Sequence, residues 1–178
     1  MSLIALLLAA AAPQSAPPPA PATTLPKPPK VDCTDADHRA FDFWIGDWDV
    51  FAAGSKTPVA HSKIEKIVGC AISETFDQFT GPGGKLIDYH GRSISAYVPA
   101  DKGWRQYYVD TGGTASTLTG GIVDSAMVLV SRNGPVTNRM TVKANPDGSV
   151  SQRGEFSSDD GKTWSPGYDF TYRRRAPT

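Results

Sequence analysis

Ten short runs of alternating apolar and polar residues follow one another through most of the chain: Trp48–Ala52, Ser62–Cys70, Ile72–Phe79, Ser93–Val98, Arg105–Asp110, Ser116–Val123, Met127–Ser131, Arg139–Lys143, Val150–Phe156 and Tyr168–Tyr172. A period of two sends successive side chains to opposite faces, so each run predicts a strand with one face buried. Between them stand GPGG, PADKG, TGG, RNGP, NPDG and DDG, each with the Gly or Pro that a chain reversal needs. Short strands joined by tight turns pair with their neighbours as an antiparallel meander, and closing that sheet removes its unpaired edges. The expected fold class is therefore all-β, an up-and-down barrel of about eight to ten strands, with a two-sheet sandwich as the alternative.

One stretch, TDADHRAFDFWIG, has helical character. Thr34 or Asp35 serves as N-cap, acids fill the first turn, and Gly46 ends it. Phe41, Trp44 and Ile45 share one apolar stripe, so a helix of about ten residues is expected to lie on the strand that opens at Trp48 and to plug one end of the barrel.

The N-terminal part reads differently. Residues 1–12, MSLIALLLAAAA, have the apolar core and small-residue end of a secretory signal peptide and are too short to span a membrane. No cysteine follows that run directly, which argues against a lipid-anchored reading. Residues 13–30 form a Pro/Ala-rich linker with nothing to bury. The folded domain is expected over residues 31–174, in a periplasmic or secreted protein with no transmembrane segment after signal removal.

Cys33 and Cys70 are the two cysteines. In an exported chain they predict a disulfide, worth about 4 kcal/mol on the chain-entropy account. They cannot complete a structural zinc site. The 18 basic residues balance the 18 acidic ones, and no basic stripe is present apart from the terminal RRR, which argues against a nucleic-acid partner.

The opening Trp44-Ile45-Gly46-Asp47-Trp48 gives the pattern W-x-G-x-W. Gly46-Asp47-Trp48 after a short helix resembles the G-x-W start of lipocalin-type (calycin) barrels. That resemblance implies that Trp48 packs across the barrel base near a basic residue of the last strand, here Arg173 or Arg174. Taken in order, FDFWIGDWDVF, GCAISETF, WRQYYVDTGG, LTGG and GEFSSDDGKTW with a terminal YRR are similar to an exported bacterial family of unknown function with a lipocalin-like β-barrel. The resemblance implies a fold and an address, without a reaction.

Candidate ligand-binding residues follow from strand parity. In WRQYYVD, Trp104, Gln106, Tyr108 and Asp110 share a face; turned outward they are ordinary surface groups, and turned inward, the expected assignment, they place a polar pair in an aromatic-lined cavity. Glu74 lies between Ile72 and Phe76 on an apolar face, where a carboxylate needs a partner, and Arg139 is the expected one. With Trp48 and Phe76 these residues form the predicted interior: Trp48, Glu74, Phe76, Trp104, Gln106, Tyr108, Asp110 and Arg139.

Several chemistries are not indicated. His38, His61 and His90 have no paired metal-ligand spacing, so no metal is expected. His90 beside Tyr89 reads as a loop residue, and no late histidine offers the haem ligand that nitrobindin-type barrels use, so no cofactor is expected. No nucleophile elbow, phosphate loop or dinucleotide fingerprint is present. SSDDGKTW, Ser157–Trp164, matches the Asp-box pattern once, which predicts a stabilised hairpin turn and not a sialidase. Three readings remain: a container for a small apolar or amphipathic molecule, an enzyme using Asp110 or Glu74 as acid or base, or an envelope module with a filled barrel.

Overall fold

A computed structural model describes Lys27 and residues 30–176. The signal-like run 1–12 and most of the stretch 13–30 lie outside the described residues.

Every run of alternating residues forms a strand. They are β1 (Gly46–Ala52), β2 (Ala60–Lys66), β3 (Ile72–Thr80), β4 (Leu86–Val98), β5 (Gly103–Asp110), β6 (Ala115–Val123), β7 (Ala126–Asn133), β8 (Val136–Ala144), β9 (Val150–Ser157) and β10 (Ser165–Arg174). Each pairs antiparallel with its sequence neighbours, and β10 pairs with β1 to close the ring, Trp48 standing opposite Arg174. The sandwich alternative is thereby excluded. Closure leaves no edge strand for a foreign chain to extend.

Strand parity separates the two faces. On β2 the buried residues are Ala60, Ser62 and Ile64, and on β3 they are Ile72, Glu74 and Phe76, while Lys63, Glu65 and Thr75 face solvent. The same alternation buries Met127, Leu129 and Ser131 on β7. One glycine shows how tightly the wall is built. A Cβ at Gly154 would fall inside the ring of Tyr168 on the adjacent strand, so only glycine fits there.

The helix is shorter than the sequence predicts. An α-helix, α1, spans Ala36–Arg39 with Asp35 as N-cap, its carboxylate accepting from the His38 N–H at 2.9 Å. The chain then breaks at Phe41 (φ −108°, ψ 6°) and adds a separate 3-10 turn, Asp42–Trp44. The break has a packing cause. Phe41 stacks on Trp44 at 4.9 Å and meets Trp104 edge-on at 5.6 Å, and both Phe41 and Trp44 are fully buried. Burial of these two rings outweighs the few hydrogen bonds that a continuous helix would add.

These rings, with Trp48, Ile64, Ile72 and Trp104, form the core at the end of the barrel where β1 begins and β10 ends. Trp104 Nε1 donates to the Asp37 carbonyl at 3.2 Å and Tyr97 donates to the Asp37 carboxylate at 3.0 Å, tying α1 to β5 and β4. Arg174 lies over the Trp48 ring at 4.1 Å, and Trp48 Nε1 donates to the Trp44 carbonyl at 3.0 Å. A Cβ at Gly46 would collide with the Arg174 guanidinium, which accounts for the glycine. The Cys33–Cys70 disulfide, Cα atoms 5.4 Å apart, fastens the segment before α1 to the link between β2 and β3.

Candidate functional site

The opposite end is open, and the barrel is not filled by its own side chains. A cavity of about 970 Å³ descends from the loops after β1, β3 and β5 toward the aromatic core. Its walls carry Phe76, Leu118, Met140 and Phe170, with Tyr89 and Tyr168 nearer the mouth. Its floor is polar.

Tyr172 defines that floor. Its ring meets Trp44 at 6.0 Å and Trp48 at 6.3 Å, both edge-on, and its hydroxyl rises from this stack to donate to Gln152 Oε1 at 2.8 Å. The same hydroxyl stands 3.4 Å from Glu74 Oε1. Ser62 Oγ donates to Glu74 Oε1 at 2.9 Å, while Oε2 has only a long 3.5 Å contact from Ser93. Glu74 is 8% exposed. Burial pushes its carboxyl up to about 7, against the opposing pull of the Ser62, Tyr172 and Ser93 hydroxyls and the more distant Arg92. The group thus changes charge near neutrality.

Gln106, beside it, donates through Nε2 to Ser95 at 3.0 Å and to Ser93 at 3.4 Å. Its Oε1 has no partner among the described residues, although the side chain lines the cavity and is only 2% exposed.

A second polar group lies nearer the mouth. The Tyr108 and Tyr89 hydroxyls are hydrogen-bonded to each other, and Tyr89 donates to Asp110 Oδ2 at 2.9 Å. Because Tyr89 spends its proton on Asp110, Tyr108 is the donor between the two phenols and its own oxygen keeps free lone pairs. Asp110 Oδ1 accepts from the N–H groups of Gly112 at 2.8 Å and Thr114 at 3.0 Å. Burial acts to raise the Asp110 carboxyl, but the Thr114 backbone and the Tyr89 hydroxyl outweigh it and hold the pKa below the ordinary range. Two interior carboxyls are therefore driven apart, one toward the neutral acid and one toward the carboxylate.

The predicted residues divide as follows. Glu74, Phe76, Gln106, Tyr108 and Asp110 all line the cavity. Trp48 and Trp104 belong instead to the closed-end core. Arg139 is not the partner of Glu74. It has the opposite parity to buried Met140, and on the outer wall it donates to Glu155 from Nε at 3.0 Å and from Nη2 at 2.8 Å while lying 3.9 Å over Trp164. Glu74 is accommodated by hydroxyls and by its neutral form, not by a cation. Parity alone shows Arg139 facing away from Met140, so this outcome was available from the spacing.

The sequence reading missed Tyr172, Tyr89, Ser62 and Ser93. His90 and Tyr89 are not in a loop: β4 begins at Leu86, and His90 lies on its outer face with Nδ1 2.7 Å from Asp77 and Nε2 2.9 Å from Asp88. The Asp box does build a turn. Asp159 Oδ1 accepts from the N–H groups of Lys162 at 3.1 Å and Thr163 at 2.9 Å, and hydrogen bonds from the Thr163 side chain and backbone lower its pKa to about 2. This hairpin stands outside the cavity walls. No three His, Cys, Asp or Glu side chains are grouped to hold a metal among the described residues.

Fold and site together define a closed ten-stranded antiparallel barrel, consistent with a lipocalin-like barrel, with one capped end and one open, ligand-sized cavity. No family model matches the chain, and no curated protein matches it in sequence. No helix among the described residues is long and apolar enough to cross a membrane.

Proposed function

We propose that this chain is an exported container of the lipocalin-like kind, a member of the family whose W-x-G-x-W opening it carries, which holds one small amphipathic molecule inside its barrel. The observation that carries this reading is the cavity of about 970 Å³, the size of a site for a drug-sized or lipid-sized molecule. Apolar walls bury the body of such a ligand, and a few fixed polar groups at the floor set its orientation. The same cavity weighs against a barrel filled by its own side chains. The disulfide and the apolar run at the N-terminus support the export half of the proposal.

A second reading, an enzyme with Glu74 as general acid or base, draws on the burial and raised pKa of that one group. Only hydroxyls, those of Ser62, Ser93 and Tyr172, lie within hydrogen-bond reach of it among the described residues, with no imidazole or second carboxyl to complete an acid–base pair, so the container reading is preferred.

Titration of the full chain with the neutral fluorophore N-phenyl-1-naphthylamine tests the proposal. Saturable uptake of about one probe per chain is expected, and Leu118→Trp, which places an indole in the cavity, is expected to weaken it about ten-fold or more while the far-ultraviolet circular dichroism stays unchanged. Absence of saturable uptake by the unaltered chain would overturn it.

A further inference from the structure

The cavity's charge lining narrows what it holds. Among the described residues no Lys, Arg or His contributes to its walls, whereas Glu74, Asp110 and Asp169 do. Two of these acids are already committed: Asp169 pairs with Arg153 at 3.2 Å, and Asp110 is spent on two backbone N–H groups and Tyr89. Arg92 is turned to the outer wall, where it meets Asp77 at 2.9 Å. Among the described residues Glu74 is thus the one cavity-lining acid left without a cation or a full set of donors.

The free polar valences around it are acceptors. When Glu74 is ionised its Oε2 has a single long contact, Gln106 Oε1 has no partner among the described residues, and nearer the mouth the Tyr108 hydroxyl donates to Tyr89 and keeps its own lone pairs free. Glu74 and Gln106 are both more than nine-tenths buried, and the cavity they line is where a partner for these atoms can stand. A floor of unserved acceptors around an uncompensated acid calls for a ligand that brings donors and positive charge. The ring of Phe76 on the cavity wall adds an aromatic group that attracts a cation. An acid-headed ligand meets the reverse: like charge and no donor-bearing cation within the walls.

We infer that the occupant is an amphipathic organic ammonium compound, its charged nitrogen at Glu74 and Gln106 and its apolar body along Phe76, Leu118, Met140 and Phe170. The inference rests on the container reading and adds the chemical class of the contents. It separates this barrel from one built for fatty acids, whose carboxylate needs a basic residue inside.

Displacement of bound N-phenyl-1-naphthylamine by decylamine, decanol and decanoate, equal in chain length, tests it. With the unaltered full chain, decylamine is expected to displace the probe at a concentration about ten-fold below that of decanoate, with decanol between them. Glu74→Gln keeps the shape and is expected to abolish the advantage of decylamine while leaving decanol within about two-fold. Equal displacement by amine and acid, a preference for the acid, or an amine preference that survives Glu74→Gln would each overturn the inference while the container reading stood. Failure of the probe itself to bind would remove both. The ranking in the unaltered chain decides the matter even if the variant does not fold.

Discussion

At position 74 a carboxyl group occupies a place that the pattern of its strand reserves for an apolar side chain. Its tolerance there has two sources: three hydroxyls directed at it, and a pKa raised by burial to about 7, so that much of the molecule's pH range finds it neutral. The consequence for stability has a definite sign. A carboxyl whose pKa is higher folded than unfolded binds more protons in the folded state between the two values. Its contribution is therefore full at low pH, declines as pH rises from about 4.5 to about 7, and is flat above that. Glu74→Gln removes this decline, so the variant is expected to be more stable than the unaltered chain by about 1–3 kcal/mol at pH 8 and nearly equal to it at about pH 4, read by urea denaturation. His90, whose pKa is raised by its bond to Asp77, also favours low pH, but it is common to both proteins and cancels in the difference. Part of this site was open to inspection in the sequence, because parity puts Gln106, Tyr108 and Asp110 together. Tyr172 obeys the same rule, sharing a face with Phe170, yet a tyrosine in a final strand carries no mark of its hydroxyl's target. Gly91 misled: it has the look of a turn residue but stands inside β4 because a Cβ there would come within 3.0 Å of the Tyr108 hydroxyl.

Among elements, the strands were the most legible and the helical segment the least. A period of two repeated with turn residues between leaves little else for a strand to be, and each of the ten expected runs is a strand whose ends move by a few residues. The strand ends moved most where a glycine or a loop-like dipeptide hid the pairing, as in β4, which extends seven residues before the predicted start at Ser93. The helix was overestimated because its stripe of Phe41, Trp44 and Ile45 was read as the face of one continuous helix, whereas the rings are buried by breaking it. What keeps so short a helix in place is its attachments: Trp104 and Tyr97 at Asp37, and the disulfide that anchors the preceding segment. Cys33→Ser opens a covalent loop with a sequence separation of 37 residues and is expected to lower stability by about 2–4 kcal/mol in guanidinium unfolding. The far-ultraviolet signature of the strands should persist, since the β ladders do not include Cys33. A variant as stable as the unaltered oxidised protein would show that the cap holds without its staple.

On the scale of the whole molecule, the two ends of the barrel have been given different work. One end is sealed by Phe41, Trp44, Trp48 and Trp104 under Arg174, a dry stack whose burial supplies much of the fold's stability. The other is left open over a cavity that forgoes the packing a filled interior would provide, and a protein gives up that packing where the space has a use. Sequence could fix closure, because edges are costly, but it could not fix emptiness. Whether large side chains meet in the middle or stand back depends on barrel radius and strand stagger, which no single strand encodes. Occupancy of that space is read by native mass spectrometry of the full chain as purified, followed by denaturing spectra of the same sample. We expect a non-covalent mass excess that disappears on denaturation, at about one ligand per chain, restored when stripped protein is incubated with an extract of the producing cells. A chain that carries no excess mass and takes up nothing from that extract would contradict the container reading.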